Sequence, residues 1–598
     1  MKFLLVGINA KYIHSNPAIR SLYAYVGKEH QKQVELAEYT INHRPEEILA
    51  DLYERRPDVI GFSCYIWNFG MVKSLLVDLA KIMPRTKIWL GGPEVSFEGQ
   101  KLLENYAMVE GIMTGEGEAT FKELLEYYEN YFEGKAGNDF NCGVRDFETD
   151  VKAKKDLSQI KGLILRGGPT PCREVLPLDE MPFLYEELSD FENRIIYYES
   201  SRGCPFRCSY CLSSVSGPVR LRSMDLVKKE LQFFLDHKVP QVKFIDRTFN
   251  CNKEHALAVW NYIKKNDNGV TNFHFEIAAD ILSAAEIELL NSLRPGLVQL
   301  EIGVQSTNEK TLEAINRPAK TERIREIVAK ILKPGNVHIH LDLIAGLPYE
   351  GYESFKNSFK EVYEMKPHQL QLGFLKVLKG SPMEEMTAEH GILYQTEPPY
   401  EVLATNLLSY EEIRKLKQIE EMVELYHNSS QFRYTLPVLL AEYENPFDFF
   451  AELAQYYKEQ GYRVQTPARG SRYEILLNFA CRKNPEKEQL YKELLTFDFY
   501  LREKAKSRPA FAPSGDFMRD EIWAFYCREE EAPEYLSGYQ GYHARQLMKM
   551  THMEGFRYAV WDGTGGKAPQ LQEPAMVLFD YQERNPLTAD AMYSVIYR

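Results

Sequence analysis

Three cysteines in the stretch ESSRGCPFRCSYCLSS, Cys204, Cys208 and Cys211, stand in the spacing CxxxCxxC directly after an apolar run. A short loop of that spacing can wrap three thiols round one inorganic cluster, and three protein ligands leave one iron of a [4Fe-4S] cluster open. An open iron has room to chelate the amino and carboxylate groups of S-adenosylmethionine (SAM). One-electron reduction of the sulfonium then releases a 5'-deoxyadenosyl radical. A structural zinc would call for a fourth Cys or His nearby; the loop has none, and His237 and Cys251 are the nearest in sequence. The nine cysteines form an odd set in a chain of 598 residues, which favours metal ligation over disulfides. Cys64 reads as a small buried hydrophobe, while Cys142, Cys172, Cys481 and Cys527 are scattered without a telling spacing.

The elements that must position such a loop follow from hydrophobic periodicity. Over residues 1–130 the apolar runs KFLLVGI, VELAEY, DVIGFSC, KIWLGG and VEGIMTG alternate with helical stretches. That pattern predicts a Rossmann-like, doubly wound α/β domain with five parallel strands. Residues 131–190 read as a linker with a small hairpin, marked by GLILRGG and LPLDEMPF. Over 191–385 six strand candidates, IIYYESS, QVKFID, FHFEI, LVQLEIG, VHIHLDLIAG and LQLGFLKVL, predict an incomplete (β/α)6 barrel of TIM type. Residues 386–598 are helical and aromatic in pattern and read as a separate, mostly helical domain.

Barrels of this type and doubly wound sheets both place ligands at the carboxyl ends of their strands. In the barrel those positions hold Asp246, Glu276, Glu301, Gln305 and Asp342, with Gly346 and Pro348 in the turn after the fifth strand. Lys376 falls on the sixth strand, with no role assigned. In the first domain they hold Asn9, Ser63, Gly91, Gly92, Pro93, Glu94, Gly115 and Glu116. Adjacent glycines let backbone lie close against a large ligand.

The cysteine loop, with an aromatic Tyr210 inside its last CxxC, resembles that of the radical SAM superfamily. The resemblance implies that Tyr210, Asp246, Glu276, Glu301, Gln305 and Asp342 hold SAM or the substrate. The order GFSCYIWN, GGPEVS and GEGE in the first domain resembles the cobalamin-binding domain that precedes the barrel in the class B methyltransferase-like branch. Asn9, Ser63, Gly91 to Glu94, Gly115 and Glu116 would then surround cobalamin. The DxHxxG loop that supplies an axial histidine in other cobalamin domains is absent, and His14 in KYIHSN lacks its context; His14 is expected to cap or pack the first helix. Methylthiotransferases share the cluster loop but carry three more cysteines in the first domain, where this chain has only Cys64. The C-terminal segment resembles an accessory domain of unknown function in one subgroup of the branch.

The resemblance implies an enzyme in which the deoxyadenosyl radical removes hydrogen from an unactivated carbon and methylcobalamin supplies a methyl group. Rivals are a cobalamin radical SAM enzyme that closes a ring or oxidises its substrate, and a cofactor-binding protein without turnover. A flavodoxin or ferredoxin is the expected electron donor. A net charge of -14 argues against nucleic acid as a partner. No apolar run approaches a membrane span, and the opening MKFLLVGINAKYIHSN reads as a first strand rather than a signal peptide, which places the protein in the cytoplasm.

Overall fold

In the computed structural model, which describes residues 1–136, 156–215, 217–317, 319–462, 467–505, 507–514 and 518–597, the strand β1 (Phe3–Asn9) is buried at every position. Continuous burial is the mark of a central parallel strand covered on both faces. Successive side chains alternate between two cores. Leu4, Val6 and Ile8 enter one with Leu52, Leu75 and Leu79; Phe3 and Leu5 enter the other with Phe121 and Leu125. The neighbours β2 (Val34–Thr40), β3 (Val59–Ser63), β4 (Lys87–Gly91) and β5 (Val109–Met113) complete the five parallel strands, in the order β2-β1-β3-β4-β5. The hairpin of β6 (Leu163–Leu165) and β7 (Gly168–Pro169) then adds antiparallel to the β5 edge. Sequence patterning shows the hairpin but not this pairing. Cys142 lies outside the described residues.

The chain divides into two compact units, Met1–Ile281 with Ala314–Arg317 and Leu375–Thr405, and Leu282–Glu313 with Pro318–Phe374 and Asn406–Arg598. The first unit also holds β8 (Ile196–Tyr198), the short antiparallel pair β9 (Ser201–Arg202) and β10 (Arg220–Leu221), and β11 (Gln241–Phe244) and β12 (Asn272–Ile277). Here β8, β11 and β12 run parallel, with Val242 opposite both Ile196 and Phe273.

The second unit holds β13 (Val298–Gln305), β14 (His338–Ala345) and β15 (Gln369–Phe374), also parallel. All six expected barrel strands are therefore present. Along β13 and β14 buried and half-buried residues alternate strictly. Apolar side chains pack on one face and polar ones line the other, which makes the polar face the one available to ligands. Lys376 falls just beyond β15, where it bridges to Glu401 within the first unit.

Beyond the short pair β16 (Leu393–Tyr394) and β17 (Val402–Ala404), the C-terminal residues are mainly helical. Local signals set the helix ends. Ser409 and Glu412 form a reciprocal cap on Tyr410–Val423. Asn445 caps Pro446–Gln460, which stops at the left-handed Gly461. Asn428 exchanges two hydrogen bonds with the backbone of Leu370 (2.9 and 3.0 Å) and so protects β15. An antiparallel sheet of β18 (Thr551–Tyr558), β19 (Leu571–Arg584) and β20 (Ala591–Ile596) ends the chain, an addition to the expected helices.

Candidate active site

The loop after β8 carries the three thiols, all free of disulfides. Cys208 is buried, and Cys204 and Cys211 are half-buried. Gly203 reaches φ +103°, and a Cβ there would come within 2.9 Å of the Pro218 carbonyl oxygen. Glycine is therefore required just before Cys204. The Cys211 N–H donates to the Cys208 carbonyl (3.1 Å) and the Ser209 N–H to the Ile315 carbonyl (2.9 Å). Asn316 donates its side-chain amide to the Arg207 carbonyl (3.0 Å), so residues 315–316 back the loop.

Burial pushes the Cys208 thiol up, and the Arg317 guanidinium, 3.8 Å from its sulfur, pulls the other way and favours the thiolate. The Cys204 sulfur lies 3.4 Å from the Thr248 hydroxyl. Burial also raises the Tyr210 phenol beside them. A tetrahedral zinc holds its sulfurs about 3.8 Å apart. Among the described residues, the one trio of candidate ligands whose atoms all lie within 4.8 Å is Glu301, His340 and Asp342. The three thiols do not meet that bound as a set.

Asp246 has a different part from the one its strand-end position implies. It is fully buried. One carboxylate oxygen accepts from the Ser200 hydroxyl (2.7 Å) and the Ser201 hydroxyl (2.6 Å), and the other from the Ser200 N–H (3.0 Å). Ser200 also meets His255 Nε2 at 2.9 Å. Burial raises the Asp246 carboxyl to about 7 despite these bonds. It therefore clamps the backbone that leads into Cys204 rather than reaching a ligand. Glu276 is half-buried on β12.

A cavity of about 610 Å³ opens at the carboxyl ends of β3, β4 and β5. Ser63, Gly91, Gly92, Pro93, Gly115 and Glu116 line it, as the sequence places them. The same wall includes Tyr197, Glu199, Arg202 and Leu212 from the strand and loop that bear the cysteines. Gly115, at φ +70°, has open space where a side chain would be. Apolar walls and a glycine floor suit a large flat ring such as a corrin.

Gly92 sits at φ +107°, and a Cβ would come within 2.5 Å of the Cys64 carbonyl oxygen. Gly92→Ala is expected to lower stability by about 1–3 kcal/mol, read as a shift in the denaturant midpoint, and to weaken retention of hydroxocobalamin. An unchanged midpoint would contradict the close packing described.

Asn9 and Glu94 do not line this cavity. Asn9 donates to Glu38 (2.9 Å) and the His14 carbonyl (3.1 Å), and Glu94 accepts the Tyr400 hydroxyl. The Asn16 side chain, not His14, caps the first helix. His14 Nδ1 instead meets the Tyr197 hydroxyl, and burial lowers its pKa.

Arg202 was not singled out from sequence. It pairs with Glu199 (2.7 Å), Glu118 (3.3 Å) and Glu116 (3.3 Å). Burial opposes its charge, but these carboxylates more than offset that and raise its pKa. Arg202 thus ties the GEGE turn to the residue pair before Cys204. Its place between ESS and GC is the only sequence signal for this.

In the second unit, Glu301, His340 and Asp342 lie together, with His340 Nε2 3.1 Å from Asp342. Gln305 ends β13 at φ +72°, and its buried side-chain oxygen meets no hydrogen-bond partner among the described residues. An acceptor left open in this way fits a ligand with a donor to offer. Gly346, at φ +90°, allows the turn after β14.

A domain model described as B12 binding domain matches residues 4–125, one described as Radical SAM superfamily matches 198–362, and one described as a protein of unknown function (DUF4080) matches 388–579. The 2-(S-pantetheinyl)-carbapenam-3-carboxylate methyltransferase of Streptantibioticus cattleyicolor is 23% identical, over 76% of this chain and 67% of that protein. The cobalamin-dependent radical SAM methyltransferase TokK of Streptomyces tokunonensis is 24% identical over 67% of this chain, which spans 61% of TokK. Among solved structures, TsrM from Kitasatospora setae, with cobalamin and a [4Fe-4S] cluster bound, aligns with TM-score 0.52 and 16% identity over 67% of this chain and 82% of that one. Among the described residues no helix is long and apolar enough to cross a membrane.

Proposed function

We propose that this chain, which joins a B12-binding domain to a radical SAM domain and is homologous to cobalamin-dependent radical SAM methyltransferases, methylates an unactivated carbon of its substrate. The observation that carries the reading is the shared wall of the first-unit cavity. Gly91, Gly92 and Gly115 lie on one side of it, and Glu199, Arg202 and Leu212, which flank the cysteine loop, on the other. A ligand in the cavity therefore borders the cluster loop directly.

When bound, the cluster and SAM supply a carbon-centred radical, and cobalamin supplies a methyl group. Cys204, Cys208 and Cys211 hold the cluster, and Arg317 steadies the most buried thiolate. Arg202 and Asp246 hold the loop in place from two sides. The apolar wall of the first-unit cavity keeps water from a reactive carbon. A flavodoxin or ferredoxin supplies the electron.

A methyl-labelled SAM tests the methyl route without knowing the substrate. Protein reconstituted with cobalamin and a reductant is expected to pass the label to the recovered cobalamin. Label found nowhere but in SAM and its breakdown products would favour the ring-closing alternative. That outcome has a precedent in similarity to the anaerobic magnesium-protoporphyrin IX monomethyl ester cyclase of Cereibacter sphaeroides, 21% identical over 54% of this chain and 52% of that protein.

A further inference from the structure

Residues 375–405 follow the last barrel strand but pack within the first unit. They fold back on themselves. The Val402 N–H donates to the Leu375 carbonyl (2.8 Å), the Val377 N–H to the Tyr400 carbonyl (3.0 Å) and the Gln395 N–H to the Glu401 carbonyl (2.9 Å). Leu375, Val377, Met383, Tyr400 and Val402 are all buried. A chain doubled and buried in this way is held as one piece.

This strap touches both loops on which the proposed function relies. At one point the Met383 N–H donates to the Ser209 carbonyl (2.9 Å), between Cys208 and Cys211. At another, Tyr400 donates its hydroxyl to Glu94, and Lys379 pairs with Glu98. Glu94 and Glu98 belong to the turn whose Gly92, Pro93, Ser96 and Phe97 line the cavity.

The tie to Glu94 is made away from water. Glu94 is 6% exposed and Tyr400 3%, so neither group has solvent to replace the other. The Lys379 ammonium lies 5.2 Å from the centre of the Tyr400 ring, which adds an attraction at the same corner. Gly380, at φ +76°, comes so close that a Cβ would lie 2.1 Å from the Phe97 ring. Tyr400 itself is held at φ +57°, a state that persists only where the surroundings fix it.

We infer that residues 375–405 set the spacing between the cysteine loop and the turn that floors the cavity, with Tyr400 as a positioning residue for cobalamin. This rests on the reading that the cavity holds cobalamin. Tyr400 does not line the cavity; it acts through Glu94 on Gly92 and Pro93.

The test uses the full, anaerobically reconstituted protein, with hydroxocobalamin as the probe. Tyr400→Phe removes the hydroxyl and keeps the ring. It is expected to raise the Kd for hydroxocobalamin, measured by equilibrium dialysis, about tenfold, with iron per chain unchanged. In reduced protein carrying both cofactors, the magnetic coupling between cob(II)alamin and the cluster should weaken in the variant, a change that lost stability alone would not produce. Glu94→Gln keeps an acceptor oxygen for Tyr400 and should bind near the parent affinity. Glu94→Ala should match Tyr400→Phe, and the double variant should be no weaker than either alone, because both act on one contact. Should Tyr400→Phe fail to fold, Lys379→Met breaks the more exposed tie to Glu98 and is expected to raise Kd about threefold.

An unchanged Kd or an unchanged coupling in Tyr400→Phe, or additive effects in the double variant, would overturn the strap while leaving the cobalamin reading in place. Parent protein that takes up iron but no cobalamin would overturn both.

Discussion

Cys208→Ala will leave a folded protein that retains little iron and forms deoxyadenosine at the background rate of the reductant. The fall is expected to be roughly 10³-fold or more, equivalent to about 4 kcal/mol of lost transition-state stabilisation. Cys208 is the buried member of the trio and the one facing Arg317, so no other thiol can take its place. Two controls separate ligation from packing. Cys64→Ala removes a fully buried thiol whose pKa burial drives far upward, and it is expected to keep the iron. Cys251→Ala removes the nearest alternative thiol in sequence and should also keep it; iron lost on that change would revive a four-ligand metal site.

The second large effect is expected at Asp246. Asp246→Ala strands the Ser200 N–H and two serine hydroxyls in a dry site, a loss of about 2–4 kcal/mol. The same change loosens the backbone two steps before Gly203, so iron per chain should fall together with the denaturation midpoint.

The carboxyl also leaves a signature in pH. Its folded pKa, about 7, lies above the usual value near 4 for an unfolded aspartate. Between those values the native state holds a proton that the unfolded chain has released. The contribution of Asp246 is therefore fully present below about pH 4 and is lost as pH rises through 7. Asp498, also buried and raised to about 7, adds to the same trend. Asp246→Asn, which does not titrate, should show a shallower decline in stability from pH 5 to 7.5 than the parent. Identical slopes would mean that Asp246 is already ionised in the folded protein.

Much of this site was legible in the sequence because its signals are local. CxxxCxxC sits within eight residues, and the apolar runs that become β1 to β5 are short and separated by clear helical periods. The glycines at 91, 92 and 115 mark places where backbone and ligand come close. What stayed hidden depends on distant pairings. Arg317 reaches Cys208 across 109 positions, and no spacing rule links them.

Asp246 looked like a ligand-binding carboxylate because it follows a strand; only the fold reveals the serines that enclose it. Arg202 appears in sequence as one more charge, yet it joins two loops through three glutamates. The strands β18 to β20 were obscured by aromatic residues that fit helical and extended patterns alike. The hairpin at β6 and β7 was visible as a turn, but its attachment to the β5 edge is a matter of pairing, which composition does not encode.

The most direct test of the account is anaerobic reconstitution of the full chain with iron, sulfide and hydroxocobalamin, followed by measurement of iron, cobalt and the deoxyadenosine formed from SAM under reducing conditions. The account predicts about four irons per chain, stoichiometric cobalt, and deoxyadenosine release that Cys208→Ala abolishes. Protein that takes up neither metal and leaves SAM intact would contradict it.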